Sequence, residues 1–123
     1  MQNNSPFSAQ ALTLPITVTA TASASTALPA VGNSIRIVNE GPNVAFVSIG
    51  TGSQTATLPN ATSTATSTPV LAGSDIVFSI PKPEATPTGG VNGGFTAPTP
   101  LNISAICRAA GTATLDVSVG EGV

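Results

Sequence analysis

The sequence predicts an all-β protein, a single antiparallel β-sandwich of jelly-roll or Greek-key type, and three observations carry that expectation. Short runs of β-branched and aliphatic residues alternate with polar ones at a period of two, the pattern of strands with one buried face. No window places apolar residues at i, i+3, i+4 and i+7, so no amphipathic helix is foreseen. The chain holds 12 glycines and 11 prolines, and turn signals recurring every 8–12 residues or so over roughly eight strands favour a sandwich over a barrel.

Residues 1 to 10 are polar apart from Phe7 and read as an N-terminal arm ahead of one sandwich domain at 11–123. Residues 11 to 21 form the first strand. Leu12-Thr13-Leu14-Pro15-Ile16-Thr17-Val18-Thr19 alternates around a proline that cannot donate to a ladder, which marks an edge strand or a bulge. Ser34 to Asn39 and Val44 to Ile49 flank Glu40-Gly41-Pro42-Asn43 and read as a hairpin. Thr55 to Leu58 and Thr68 to Leu71 follow as strands, and Gly73-Ser74 turns the chain into Asp75 to Ile80. Leu101 to Arg108 and Thr112 to Val119 flank Ala109-Ala110-Gly111, where glycine suits the left-handed position of a bulged hairpin. Residues 81 to 100 are an extended Pro/Gly loop carrying Phe95, and loops of that length are commonly functional or disordered.

The length of 123 residues fits one domain with a core of its own. With 41% hydrophobic and 7% charged residues the composition is that of a folded body, not of a disordered chain. A net charge of −2 with three basic residues leaves no footprint for neutralising phosphates, so no nucleic-acid partner is expected. No apolar stretch approaches the roughly 20 residues of a membrane helix, and the N-terminus lacks the basic and apolar regions of a signal peptide, so no membrane partner is expected and synthesis is placed in the cytoplasm.

Catalytic chemistry finds little to work with. There is no histidine, and Glu40, Asp75, Glu84, Asp116 and Glu121 are each isolated in sequence, without an acid–base pair in a shared motif. Cys107, the only cysteine, lies on an alternating segment and reads as a buried, unreactive thiol with no base beside it. Metal binding has neither histidines nor a calcium-loop cluster of acids to draw on. Gly50-Thr51-Gly52-Ser53 follows a strand, but the next segment, Gln54 to Pro59, reads as another strand and not as the helix a phosphate loop requires. The Asn-x-Ser/Thr triplets at Asn3, Asn60 and Asn102 are chance matches in a chain so rich in Ser and Thr. No enzyme, no metal and no cofactor are expected. The Ala/Ser/Thr runs at 20–26 and 61–68 suit exposed strands or a flat polar contact face as well as they suit linkers.

What the sequence does offer is surface for other subunits. β-sandwiches commonly guard their edges with lysine, yet Lys82 is the sole lysine and falls in the 81–100 loop. Scarce surface charge is also the mark of interface cores. At least one sheet edge is therefore expected to be covered by another chain.

The stretches Ser34 to Gly50, Leu71 to Ile80 and Gly111 to Gly122 resemble small virion proteins of tailed bacteriophages, most of all the capsid decoration, or cement, proteins. That resemblance implies a small β-sandwich that binds the outer capsid surface and cements neighbouring major capsid proteins, as a homodimer or homotrimer, and hence a virion location. A tail- or fibre-associated module for host-surface recognition is the alternative. The family carries no catalytic residue to transfer. Partner contacts are nominated on physical grounds alone: Gln2, Asn3, Asn4 and Phe7 on the arm, and Val91, Asn92 and Phe95 on the loop, where an apolar side chain on an irregular segment can anchor a partner.

Overall fold

The computed structural model describes residues 8–60, 67–84, 86–87, 94–96 and 98–121. Ten strands and no helix occur among them: β1 Ser8–Val18, β2 Thr26–Ala27, β3 Ser34–Pro42, β4 Ala45–Gly50, β5 Thr68–Val70, β6 Asp75–Ser79, β7 Thr86–Pro87, β8 Phe95–Thr96, β9 Asn102–Cys107 and β10 Ala113–Glu121. Eight of them form two four-stranded antiparallel sheets, ordered β1-β10-β3-β6 and β2-β9-β4-β5, while β7 and β8 pair only with each other. The predicted all-β sandwich is the fold observed.

The pairings nest. β1 lies on β10, β2 on β9, β3 on β6 and β4 on β5, so the chain is one long antiparallel ribbon bent at the β4–β5 connection. Two further ladders, β10 on β3 and β9 on β4, close the bent ribbon on itself.

Period two decides which side chains meet. Ile35 and Ile37 of β3 and Leu115, Val117 and Val119 of β10 point inward from the first sheet, facing Ala45 and Val47 of β4 and Ile103, Ala105 and Cys107 of β9. Each fully buried Val, Leu or Ile contributes about 1.5–3 kcal/mol relative to exposure. Apart from Cys107 the described core is aliphatic. The outward rows of the first sheet carry Arg36, Glu40, Asp75 and Asp116, none of them buried.

Neither predicted hairpin forms. β3 belongs to the first sheet and β4 to the second, so Glu40 to Asn43 turns a corner between layers. Gly41 adopts φ +85° there, and the Gly41–Pro42 peptide is cis. The buried Asn39 side chain makes the corner self-sufficient: its amide donates to the carbonyls of Asn43 (3.0 Å) and Val70 (2.9 Å), and its oxygen accepts from Gly41 N–H (2.7 Å). β9 and β10 likewise lie in opposite sheets. The left-handed residue of their connection is Ala110, with φ 65°, and not Gly111. Gly111 meets a demand for space instead, because a Cβ there would stand 2.9 Å from the Arg108 carbonyl oxygen and 3.2 Å from Cys107 Cβ.

Other boundaries move as well. β1 begins at Ser8, inside the segment assigned to the arm, and Pro15 does lie on an edge strand, with a register shift between Ala9 and Thr13. Residues 54–59 are not a strand: they run across the outer face of the second sheet, where Ser48 Oγ donates to Gln54 Oε1 (2.8 Å) and Ala56 N–H donates to Ser104 Oγ (3.1 Å). Their backbone bonds go to serine side chains, which is why the alternating pattern there builds no ladder. The run 20–26 lies along β9 and is tied to it through Ser23, whose N–H donates to the Ala105 carbonyl (2.8 Å) and whose Oγ accepts from Ala105 N–H (2.9 Å).

The sheet edges are better guarded than lysine counting suggests. β1 carries Pro15 and its bulge, β2 is two residues long, and β5 is three residues long with Pro69 among them. Among the described strands only β6 is a sheet edge without proline, bulge or extreme shortness. Shortness, proline and bulges replace charge as the means of blunting an edge.

Candidate functional site

Two of the corners that join the sheets lie side by side. Asn43 N–H donates to the Thr112 carbonyl (3.1 Å) and Asn43 Oδ1 accepts from Thr112 N–H (3.0 Å), so one asparagine clamps the β3–β4 corner to the β9–β10 connection. Between them opens a cleft of about 290 Å³, lined by Asn43, Val44 and Phe46 on one side and Arg108 to Gly111 on the other.

Strand register places the two largest side chains of the cleft together. Phe46 pairs across the ladder with Ile106, and Arg108 follows two residues later, just past the end of β9 and within reach of the Phe46 ring. The Arg108 guanidinium carbon stands 5.1 Å from the Phe46 ring centroid, a cation–π contact worth about 0.5–1 kcal/mol at an exposed site. Phe46 is buried at 7% exposure, so the aromatic face is a fixed platform and the arginine its exposed cover. A long contact to the Pro59 carbonyl, 3.5 Å from Nη1, adds little.

Arg108 is also distinguished by the company other charges keep. Arg36 is held bidentately by Asp75, Nε to Oδ1 at 2.8 Å and Nη2 to Oδ2 at 2.6 Å. Lys82 Nζ lies 3.0 Å from Glu121 Oε2. Among the described residues Arg108 has no carboxylate partner. The cleft can therefore offer a guanidinium fork steadied on the Phe46 ring and the small, neutral walls of Ala109 and Ala110 to an anionic group.

Two pairings shift the titration of charges that the sequence leaves isolated. Asp75 is held below the ordinary carboxylate range, above all by its hydrogen bond from Arg36. Glu40 is pushed up by hydrogen bonding with the neighbouring Asp116 and by that group's charge. The Glu40–Asp116 pair belongs to the outward rows of the first sheet and not to the cleft. Cys107, expected to be buried, is fully so, and burial pushes its thiol up. Among the described residues no three metal-ligating side chains converge, and no helix is long and apolar enough to cross a membrane.

Of the nominated contacts, Gln2, Asn3, Asn4, Phe7, Val91 and Asn92 lie outside the described residues. Phe95 lies on β8, in register with Pro87, and so on a strand inside what reads as a loop. Sequence reasoning missed Phe46 and Arg108, whose meeting depends on β4 pairing with β9, a ladder between segments far apart in sequence. Only that register could have revealed them. No family model, curated protein or solved structure matches the chain.

Proposed function

We propose that this chain is a jelly-roll structural protein of a phage virion, which binds the outer capsid surface, cements neighbouring major capsid proteins and associates with itself as a homodimer or homotrimer. It is made in the host cytoplasm and acts without enzymatic activity, cofactor, nucleic acid or membrane. The observation that supports this reading is the nested ribbon closed by β10 on β3 and β9 on β4, a strand order that suits a jelly roll among sandwich plans, and jelly rolls build viral capsid domains as well as lectins. The distribution of charge supports it. Asp75 and Glu121 are each tied to a cation, Glu40 and Asp116 face outward on a sheet, and the cleft holds no acid–base pair.

Purified protein added to shells that lack it is expected to bind saturably and to raise the temperature at which the shells break. Shells that neither bind it nor gain stability would end this reading.

A tail- or fibre-associated module for host-surface recognition is the second reading, and the Arg108–Phe46 cleft favours it. A guanidinium steadied on an aromatic ring suits the carboxylate of an acidic sugar. Chemical-shift changes at Arg108 and Phe46 on adding uronic or sialic acid oligosaccharides support it, and an unchanged spectrum removes it.

A further inference from the structure

The open edge of β6 has a backbone pattern that only certain partners can complete. Ile80 N–H donates to the Asn33 carbonyl and Asn39 N–H donates to the Ser74 carbonyl, both at 2.9 Å, on either side of the register Ser34↔Ser79 through Val38↔Asp75. Hydrogen-bonded positions alternate along an antiparallel ladder. The backbone groups of Ile76 and Phe78, the Ser74 carbonyl and the Ile80 N–H therefore turn toward β3, while Asp75, Val77 and Ser79 turn theirs to the open side. No strand of the described residues lies beyond β6.

We propose that β6 pairs antiparallel with β6 of a second copy about a two-fold axis at Val77, joining two four-stranded sheets into one of eight. Three features select this occupant. In the register centred on Val77, Val77 faces Val77, and Asp75 and Ser79 face each other in both directions, so all three outward N–H and all three outward C=O groups on each strand find partners. Charge agrees with the register: Asp75 meets a serine hydroxyl and not the Asp75 of the second copy, and it keeps Arg36. Val77, 38% exposed on the outer face, gains an apolar partner at the centre of the pair. β1, the other long edge, is disqualified by Pro15 and its bulge. A two-fold contact of this kind is closed and cannot propagate into a fibre. The inference rests on the self-association within the proposed function and is independent of shell binding.

Sedimentation analysis of the full chain is expected to give twice the mass of one chain. Val77→Pro, tolerated on an edge whose N–H faces outward, is expected to weaken association by roughly a hundredfold, since it removes two central hydrogen bonds and adds a clash. Val77→Lys guards against a proline variant that fails to fold, and is expected to be monomeric with an unchanged circular dichroism spectrum and a melting temperature that, unlike the wild type's, does not vary with protein concentration. Register is read by cross-linking. Val77→Cys faces itself within disulfide reach and is expected to oxidise to a covalent dimer, whereas Ser79→Cys is offset from its counterpart by about 13 Å and is not. A monomeric wild type, a Val77→Lys variant that stays dimeric, or Ser79→Cys cross-linking as readily as Val77→Cys overturns the proposal. Monomers that still bind shells overturn this dimer alone, and dimers that do not bind shells overturn the capsid reading alone.

Discussion

Asn39 is fully buried, and its side chain uses both amide hydrogens and the carbonyl oxygen on backbone groups of the β3–β4 corner and of Val70. An unpaired buried polar group costs about 1–3 kcal/mol, so a polar residue is the stable choice at this inward position of β3. The exposed charges act in the opposite way, weakly and with pH. Asp75 is held below its ordinary value of 3.8, so its contribution is fully present above that value and is lost as pH falls through the lower folded value. Glu40 is raised above its ordinary value of 4.5, so its contribution is present below that value and is lost as pH rises through the raised one. Thermal melts followed from neutral to strongly acidic pH are expected to show Asp75→Asn flattening the acid limb. Glu40→Gln is expected to raise stability at neutral pH, a gain that fades on acidification. Both effects are small because both groups face water. Parallel curves for wild type and Asp75→Asn would show that the Arg36 pair contributes nothing.

Among the elements, the connections decide more than the strands do. β3, β4, β9 and β10 are strands at close to their predicted positions, yet the residues between them send consecutive strands into opposite sheets. At Ala110 a left-handed conformation is held by a residue with a Cβ, which costs roughly 1–2 kcal/mol relative to glycine's freedom. Ala110→Gly is expected to stabilise the protein by up to about 1 kcal/mol once the greater entropy of the unfolded glycine is subtracted. The urea midpoint reads this directly, and a lower midpoint would show that the Ala110 methyl contributes more through contacts than its strain costs. The Gln54 to Pro59 segment teaches a related lesson, since its alternation is real and Ala56 is buried, but serine side chains on the second sheet and at Ser25 accept or complete its polar contacts.

At the scale of the whole molecule, one core shared by both inner faces means that neither sheet can open without exposing the other. Cys107 reports on this, being fully buried on the inner face of β9 with its N–H bonded to the Thr19 carbonyl at 2.8 Å. Thiol labelling under increasing urea is expected to follow the loss of circular dichroism in a single transition. Labelling well before that transition would show that the second sheet opens separately.

By itself the sequence determined the all-β class, most strand positions, the edge character of the Pro15 strand and the burial of Cys107. All of these follow from period two and from proline's missing donor, which are local properties of the chain. Tertiary structure alone decided which sheet each strand joined, that the two expected hairpins are corners, that β6 is the one plainly open edge among the described strands, and that Arg108 comes to rest on Phe46. Those outcomes depend on ladders between residues far apart in sequence, whose register is set by the joint burial of two facing sheets and not by any segment alone.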